Sequence, residues 1–322
     1  MAAIVSAPAP LTTRPVPAPD IRSPRSRRSL ATLVLISMRP EQWTKNLFVL
    51  AGVLFGGRLL EPSSVLSAVM TLVAFCALSG SVYIINDVAD RPGDQQHPLK
   101  RMRPIASGEL PVRSAISSAT AAAALGLGIA LWIRPSLALV CVAYLALLIL
   151  YSALLKHLVI VDVLTIAAGF VLRAVAGAVA VDVPISYWLL VCTTLLALFL
   201  GLSKRRHELT LLGDAAVGHR RILQEYTPYL LDQMIAVVTA STLIAYSVYA
   251  TSPETAQRLG TDYLGLTIPF VLYGIFRYLY LVHQKRGGGN PAALLVTDRP
   301  LLACVMLWTT SVAIILYSPL GR

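Results

Sequence analysis

The chain has 322 residues, 56% of them apolar and only 13% charged, with a mean hydropathy of +0.70. Soluble domains carry about 25% charged residues, so this composition excludes a water-soluble globular domain and indicates a chain that crosses the membrane many times. The net charge of +11 suggests nucleic acid as a partner, but the placement of the cations argues against it.

In chain order, residues 1–29 are rich in Pro, Ala, Ser and Arg and hold no apolar run. They predict a disordered, basic cytoplasmic arm and not a signal peptide. Residues 30–322 are the predicted transmembrane catalytic domain. A spanning helix needs roughly 20 mainly apolar residues. Nine stretches meet that measure: 38–57, 65–86, 114–133, 136–155, 159–180, 186–203, 229–251, 262–282 and 300–318. The runs are continuous and not alternating, so they read as helices and not as barrel strands. The expected fold is an all-α polytopic membrane protein with about nine transmembrane helices. Cys76, Cys141, Cys192 and Cys304 fall singly in these runs and read as packing residues.

With the N-terminus inside, 21 of the 27 Lys and Arg lie in inside segments, four lie outside, and Arg173 and Arg277 lie within spans. This is the positive-inside bias of a multi-pass protein of the cell (inner or plasma) membrane with a cytoplasmic N-terminus. The basic excess is then topological, and no nucleic-acid partner is implied. The longer inside connections hold most residues of chemical use, so the active face is expected on the cytoplasmic side.

The first such cluster, MRPEQWTKN, places Arg39, Gln42, Lys45 and Asn46 at the start of the first span, where Trp43 also fits an interface anchor. The second, NDVADRPGDQQHPLKRMRPIASG (86–108), follows the second span. On one helix Asp87, Asp90 and Asp94 would share a face at i, i+3 and i+7. Three like charges repel unless a cation sits among them, and Mg²⁺ takes one or two carboxylates plus substrate phosphates. Asn86 adds an amide. The plainer reading is a solvated acidic helix end, although acids there oppose the macrodipole. Pro92-Gly93 ends the helix near Asp90, which puts Asp94 on a loop, where its removal is expected to cost less. Lys100, Arg101 and Arg103 follow and can pair phosphate oxygens, although basic residues beside a membrane are commonly topogenic.

Further on, Tyr151 and Lys156 stand at the cytoplasmic mouth before DVLTIAAGFVLRAVAG. There Asp162, Ile166, Gly169, Arg173 and Gly177 step by 4, 3, 4 and 4, which places them on one helical face. The glycines admit a close neighbour, and an intramembrane arginine faces a cavity or a partner. A structural ion pair is the alternative. SKRRHEL ends the sixth span with Lys204 and Arg205. GGGNP reads as a flexible turn, and in NPAALLVTDRPLL, Thr297 or Asp298 caps the last helix with Pro300 in its first turn. Walker, HExxH and GxSxG motifs are missing.

NDVAD with Asp94, continuing into HPLKRMRPIASG, resembles the first aspartate motif of the UbiA superfamily of intramembrane prenyltransferases. RPEQWTKN, YSALLKHLVIVDVLTIAAGFVLRAVAG, SKRRHEL and NPAALLVTDRPLL make the resemblance strongest to its decaprenyl-phosphate phosphoribosyltransferase branch. The resemblance covers about residues 30–320 and implies a nine-helix bundle with a cytoplasm-facing site. It implies Mg²⁺-diphosphate binding by Asn86, Asp87, Asp90 and Asp94, and a polar cavity lined by Lys45, Lys156 and Arg173. One departure is that Asp162 stands alone where aromatic prenyltransferases usually show two or more acids, which favours a single-motif donor site.

The expected reaction is Mg²⁺-dependent transfer of 5-phosphoribose from 5-phosphoribosyl 1-diphosphate to a polyprenyl phosphate, with Asp87 and Asp90 as the central acids. The substrate-binding set is Lys45, Asn46, Asn86, Lys100, Arg101, Arg103, Tyr151, Lys156, Asp162, Arg173, Lys204 and Arg205. The expected partners are the bilayer and these two substrates, and a homo-oligomer is compatible with the sequence. The alternatives are prenyl transfer from a prenyl diphosphate to an aromatic acceptor and, outside enzymes, a transporter with Asp162 and Arg173 along its pathway.

Overall fold

The computed structural model describes residues 28–212, 225–285 and 291–318. The predicted arm up to residue 27, Arg220, Arg221, Arg286 and the glycine run of GGGNP lie outside the described residues. Among the described residues every regular element is helical. Eight helical stretches are long and apolar enough to cross a membrane, and they fall on the last eight predicted spans. They comprise α3 (Pro62–Ala89), α5 (Val112–Ile133), α6 (Pro135–Ala153), α7 (Val161–Ala180), α8 (Tyr187–Leu212), α9 (Pro228–Thr251), α11 (Ile268–Gln284, with the 3-10 turn Tyr263–Thr267 before it) and α13 (Arg299–Tyr317). Shorter helices are α1 (Leu30–Ser37), α2 (Ala51–Phe55), α4 (Arg91–Gln96), α10 (Pro253–Leu259) and α12 (Pro291–Thr297).

The first predicted span, 38–57, is not one long helix. Arg39 precedes a proline, which bars the α region, and it takes the left-handed region at φ 55° and ψ 68°. A 3-10 segment, Pro40–Leu50, then leads into α2. This broken element runs antiparallel to α3. Arg39 meets Asp87, Asn46 meets Cys76 and Ser79, and Val53 clusters with Ala68. The matching length of α3, Ala68 to Asp87, is about 28 Å at 1.5 Å per residue. The shorter stretch Arg39–Val53 covers it because a 3-10 helix rises about 2.0 Å per residue. The element thus passes through the same depth as a full span.

α3 and α7 form the buried centre, and α5 and α6 lie at the periphery. The broken element approaches α7 at backbone distance. A Cβ built on Gly177 would lie 1.8 Å from the Val49 carbonyl oxygen, and one on Gly52 would lie 2.3 Å from the Gly177 carbonyl carbon. Of the predicted face of α7, Asp162, Gly169, Arg173 and Gly177 are buried and Ile166 is half-buried; residues off that face, such as Val163, Phe170 and Ala174, are buried as well.

Caps follow the sequence at several ends. Thr227 accepts from Leu230 N–H (3.1 Å) at the start of α9, and Asp298 accepts from Leu301 N–H (2.9 Å) at the start of α13. Arg277, the second arginine predicted within a span, donates to Asp298 at 3.1 and 2.8 Å and so ties α11 to that cap. At the opposite end of the bundle Arg58 pairs with Glu61 and Arg134 with Asp182. All four cysteines are free thiols.

Candidate functional site

The end of α3, the turn after it and the left-handed corner before the 3-10 segment enclose the acidic cluster. α3 stops at Ala89 with Asp90 as its cap, as Pro92 dictates, but the chain does not leave as a loop. Pro92 sits in the first turn of α4, and this one extra turn folds Asp94 back beside Asp87. Both carboxyls are buried. Arg39 Nη2 donates to Asp87 Oδ1 at 2.5 Å; Arg103 Nη1 donates to the same oxygen at 3.1 Å and to Asp94 Oδ2 at 2.6 Å. The Arg39 guanidinium also stands 5.0 Å from the centroid of the Tyr83 ring, one helical turn before Asp87. Asp87 Oδ2 and Asp94 Oδ1 accept no hydrogen bond among the described residues. Asp90 is exposed beside them, its carboxyl likewise without a partner among the described residues, and Asn86 is half-buried.

A second centre lies deeper. Arg173, 6% exposed, donates from Nε to Asn46 Oδ1 (2.8 Å), from Nη1 to the Gly169 carbonyl (2.8 Å) and from Nη2 to the Tyr144 hydroxyl (2.6 Å). Asn46 in turn donates to Ser79 Oγ and Cys76 Sγ, both at 3.3 Å. Ser79 precedes Asp87 by two turns of α3, so this centre is about 12 Å further into the bundle than the acid pair. Every acceptor of Arg173 is neutral, and it forms no ion pair among the described residues. A guanidinium carries five N–H donors, of which three are used. Placing such a cation in a membrane costs about 2.5–3.5 kcal/mol on insertion scales. The faces of Tyr144 and Phe170, with ring centroids 4.8 and 5.2 Å from its guanidinium carbon, share its charge.

Lys45, one residue before Asn46 on the 3-10 segment, is half-buried. It lies within electrostatic reach of Lys204, Arg173 and Arg39, and forms no ion pair among the described residues. Lys204 stands 3.7 Å from Glu208. Lys100 and Arg101 occupy the 3-10 turn Lys100–Met102, held by His97 Nδ1, which accepts from the Leu99 and Lys100 amides at 3.2 Å each. Lys156 is half-buried on the 3-10 turn Leu155–His157.

Asp162 and Arg205 meet each other. Arg205 Nε donates to Asp162 Oδ2 at 2.9 Å, with side-chain exposures of 2% and 0%. Arg205 also reaches Glu208 (2.7 Å) and Tyr151 (3.5 Å), and the Tyr226 hydroxyl donates to Asp162 Oδ1 at 3.1 Å. The sequence names both members of this pair and misses Tyr226, which completes it. Tyr83 had a signal, being four residues before Asp87 on the same helical face. Ser79, two turns before Asp87 on α3, and Glu208, three residues after Arg205 on α8, had the same kind of signal, whereas Tyr144 and Tyr226 come from other elements and had none.

As a whole the site offers two buried carboxyls bridged by Arg103 at its mouth and a string of cations leading inward, a pattern suited to a polyanion. Residues 46–297 match the model of the UbiA prenyltransferase family. The chain is 34% identical over 290 residues to a decaprenyl-phosphate phosphoribosyltransferase of Mycobacterium tuberculosis, covering 88% of this chain and 94% of that one. It is 33% identical over 303 residues to the enzyme of the same name from Mycolicibacterium smegmatis, covering 90% and 94%. Among solved structures, a UbiA homolog from Archaeoglobus fulgidus bound to GPP and Mg²⁺ superposes with a TM-score of 0.67 at 20% identity, covering 87% of this chain and 99% of that one.

Proposed function

Because the chain belongs to the UbiA prenyltransferase family, we propose that it transfers 5-phosphoribose from 5-phosphoribosyl 1-diphosphate to a polyprenyl phosphate such as decaprenyl phosphate. Diphosphate is released, and the reaction takes place at the cytoplasmic face of the cell membrane. The names of its relatives support the substrate classes. The observation that carries the reading is the separation of the two charged centres. A prenyl diphosphate brings one anionic group, for which the mouth with Asp87, Asp94, Arg39 and Arg103 is sufficient. 5-Phosphoribosyl 1-diphosphate brings two, and Arg173, Lys45 and Lys204 supply the second site further in.

A divalent cation fits the mouth. Asp87 and Asp94 each keep one oxygen without a hydrogen bond among the described residues, Asp90 adds an exposed carboxyl, and Mg²⁺ is a hard cation that completes its shell with substrate phosphates. Among the described residues no group of three or more His, Cys, Asp and Glu is placed to hold a metal. Bound at the mouth, Mg²⁺ would act as a Lewis acid on the leaving diphosphate.

The chain's own residues do the rest. Arg39 and Arg103 are held against the carboxyls and present guanidinium donors to the diphosphate, which stabilises its charge as the anomeric C–O bond breaks. Lys45, Lys204 and Arg173 hold the 5-phosphate and so fix the ribose between the centres. Lys100, Arg101 and Lys156 lie on short 3-10 turns outside the spans, where the phosphate of a lipid acceptor sits with its isoprenoid in the bilayer. That phosphate is already anionic at neutral pH, so the attack needs no general base and inverts the anomeric carbon. Orienting two anions is the main catalytic task. The test uses purified protein, 5-phosphoribosyl 1-diphosphate and a long polyprenyl phosphate, with and without EDTA, and mass spectrometry of the lipid extract. A polyprenyl-phosphoryl-phosphoribose that forms only without EDTA supports the reading; no such product under either condition overturns it.

A further inference from the structure

Between Lys156 and Asp162 the backbone makes a turn that the sequence does not call for. Ile160 has φ 68° and ψ −44°, and the Val161 N–H donates to the Val159 carbonyl at 2.7 Å. This is a γ-turn of the positive-φ kind, which is rare and strained, and a β-branched residue is among the least suited to it. Packing does not compensate, since the Ile160 side chain is 46% exposed. An observed strain of this sort, beside a candidate site, is grounds for asking what holds it and why.

The Ile160 carbonyl accepts from the Val163 and Leu164 amides as α7 begins, and one side chain reaches the turn from outside. The Ile160 N–H donates to Tyr226 Oη at 2.7 Å, and the same oxygen donates its proton to Asp162 Oδ1 at 3.1 Å. Tyr226 is 3% exposed and stands just before α9, so it reaches the start of α7 from a distant part of the chain. Asp162 Oδ2 receives Arg205 Nε at 2.9 Å. Arg205 adjoins Lys204, which stands 3.7 Å from Glu208, the acid that Arg205 also meets. One phenol therefore fixes the turn that follows Lys156 and, through Asp162 and Arg205, the rotation of α8 that presents Lys204.

We infer that Tyr226 is a positioning residue: it pins the strained Ile160 turn and the Asp162–Arg205 pair, so that Lys156 is held for the lipid phosphate and Lys204 for the donor. The inference rests on the phosphoribosyl-transfer reading for the identity of the two substrates, while the clamp itself is a property of the fold.

The experiment compares the full-length wild type, Tyr226→Phe and Tyr226→Phe/Ile160→Gly in detergent. Phenylalanine keeps the ring and removes both hydrogen bonds. Glycine takes φ 68° at no steric cost, so the turn no longer needs its pin. Hydrogen–deuterium exchange of peptides spanning 156–166 is the readout that does not depend on activity. Tyr226→Phe should lose protection there by about tenfold in exchange rate, and the double variant should regain most of it. In the transfer assay Tyr226→Phe should raise the KM for both substrates about tenfold with a smaller change in kcat; the double variant should restore that for the polyprenyl phosphate, which the Lys156 turn meets, and not that for 5-phosphoribosyl 1-diphosphate, whose Lys204 depends on the Asp162–Arg205 pair. Unchanged exchange in Tyr226→Phe, or no recovery in a folded double variant, overturns the clamp whatever the substrate proves to be. A wild type without phosphoribosyl transfer, alongside the expected exchange pattern, instead overturns the functional reading and leaves the clamp standing.

Discussion

Replacing Gly177 by alanine tests how the broken first element and α7 together build the inner site. The added Cβ would sit 1.8 Å from the Val49 carbonyl oxygen, where nothing closer than about 3.0 Å is tolerated. The two backbones must therefore part by about 1.2 Å. Val49 lies three residues beyond Asn46, and Gly177 one turn beyond Arg173, so the strain falls on the 2.8 Å bond between them. A bond stretched toward 4 Å is lost, and hydrogen bonds to charged groups contribute about 1.5–3 kcal/mol. Overpacking adds about 1–3 kcal/mol of destabilisation, and a misplacement of about 1 Å can lower turnover about 100-fold. The expected result is a melting temperature in detergent several degrees below wild type and a drop in kcat/KM on the order of 100-fold. Gly128→Ala is the control, because a Cβ there meets nothing within 4 Å, and it should be neutral or slightly stabilising. Equal stability and activity for the two variants would refute the close backbone approach and its role.

Asp87→Asn and Asp94→Asn each weaken a bond from Arg103 or Arg39, so both should lose turnover on the order of 100-fold or more and also melt at lower temperature. Asp90→Asn breaks no contact among the described residues; it should lose turnover and raise the Mg²⁺ concentration required while the melting temperature stays put. Arg173→Lys keeps the charge but loses the planar fork that spans Asn46, Gly169 and Tyr144. Steady-state kinetics should show a fall of about 10- to 100-fold, equivalent to about 1.5–3 kcal/mol. Asp298→Ala removes the α13 cap and the partner of Arg277. It should cost about 1–2 kcal/mol of stability with unchanged kcat/KM at 25 °C.

The spans from α3 onward were legible because each is a continuous apolar run of near membrane length. The first was not, since the polar residues Glu41, Gln42, Lys45 and Asn46 and the proline at 40 give no hint that a 3-10 segment will cross the same depth in fewer residues. The Asp162–Gly177 face was legible from its spacing, and the structure buries it. Its contacts were not, because Asn46, Tyr144, Arg205 and Tyr226 arrive from other elements, and one-dimensional periodicity carries no information across a chain reversal. Pro92 shows the same limit: it ends α3 as read, yet the turn it begins returns Asp94 to the side of Asp87.

The central claim is that the donor carries two anionic groups. It is tested most directly by competition in one reaction: equal concentrations of 5-phosphoribosyl 1-diphosphate and a prenyl diphosphate, offered together with polyprenyl phosphate, an aromatic acceptor and Mg²⁺. The account predicts that the phosphoribosyl donor is consumed and polyprenyl-phosphoryl-phosphoribose accumulates, while the prenyl diphosphate remains. Consumption of the prenyl diphosphate with a prenylated aromatic product, and an untouched phosphoribosyl donor, would contradict it.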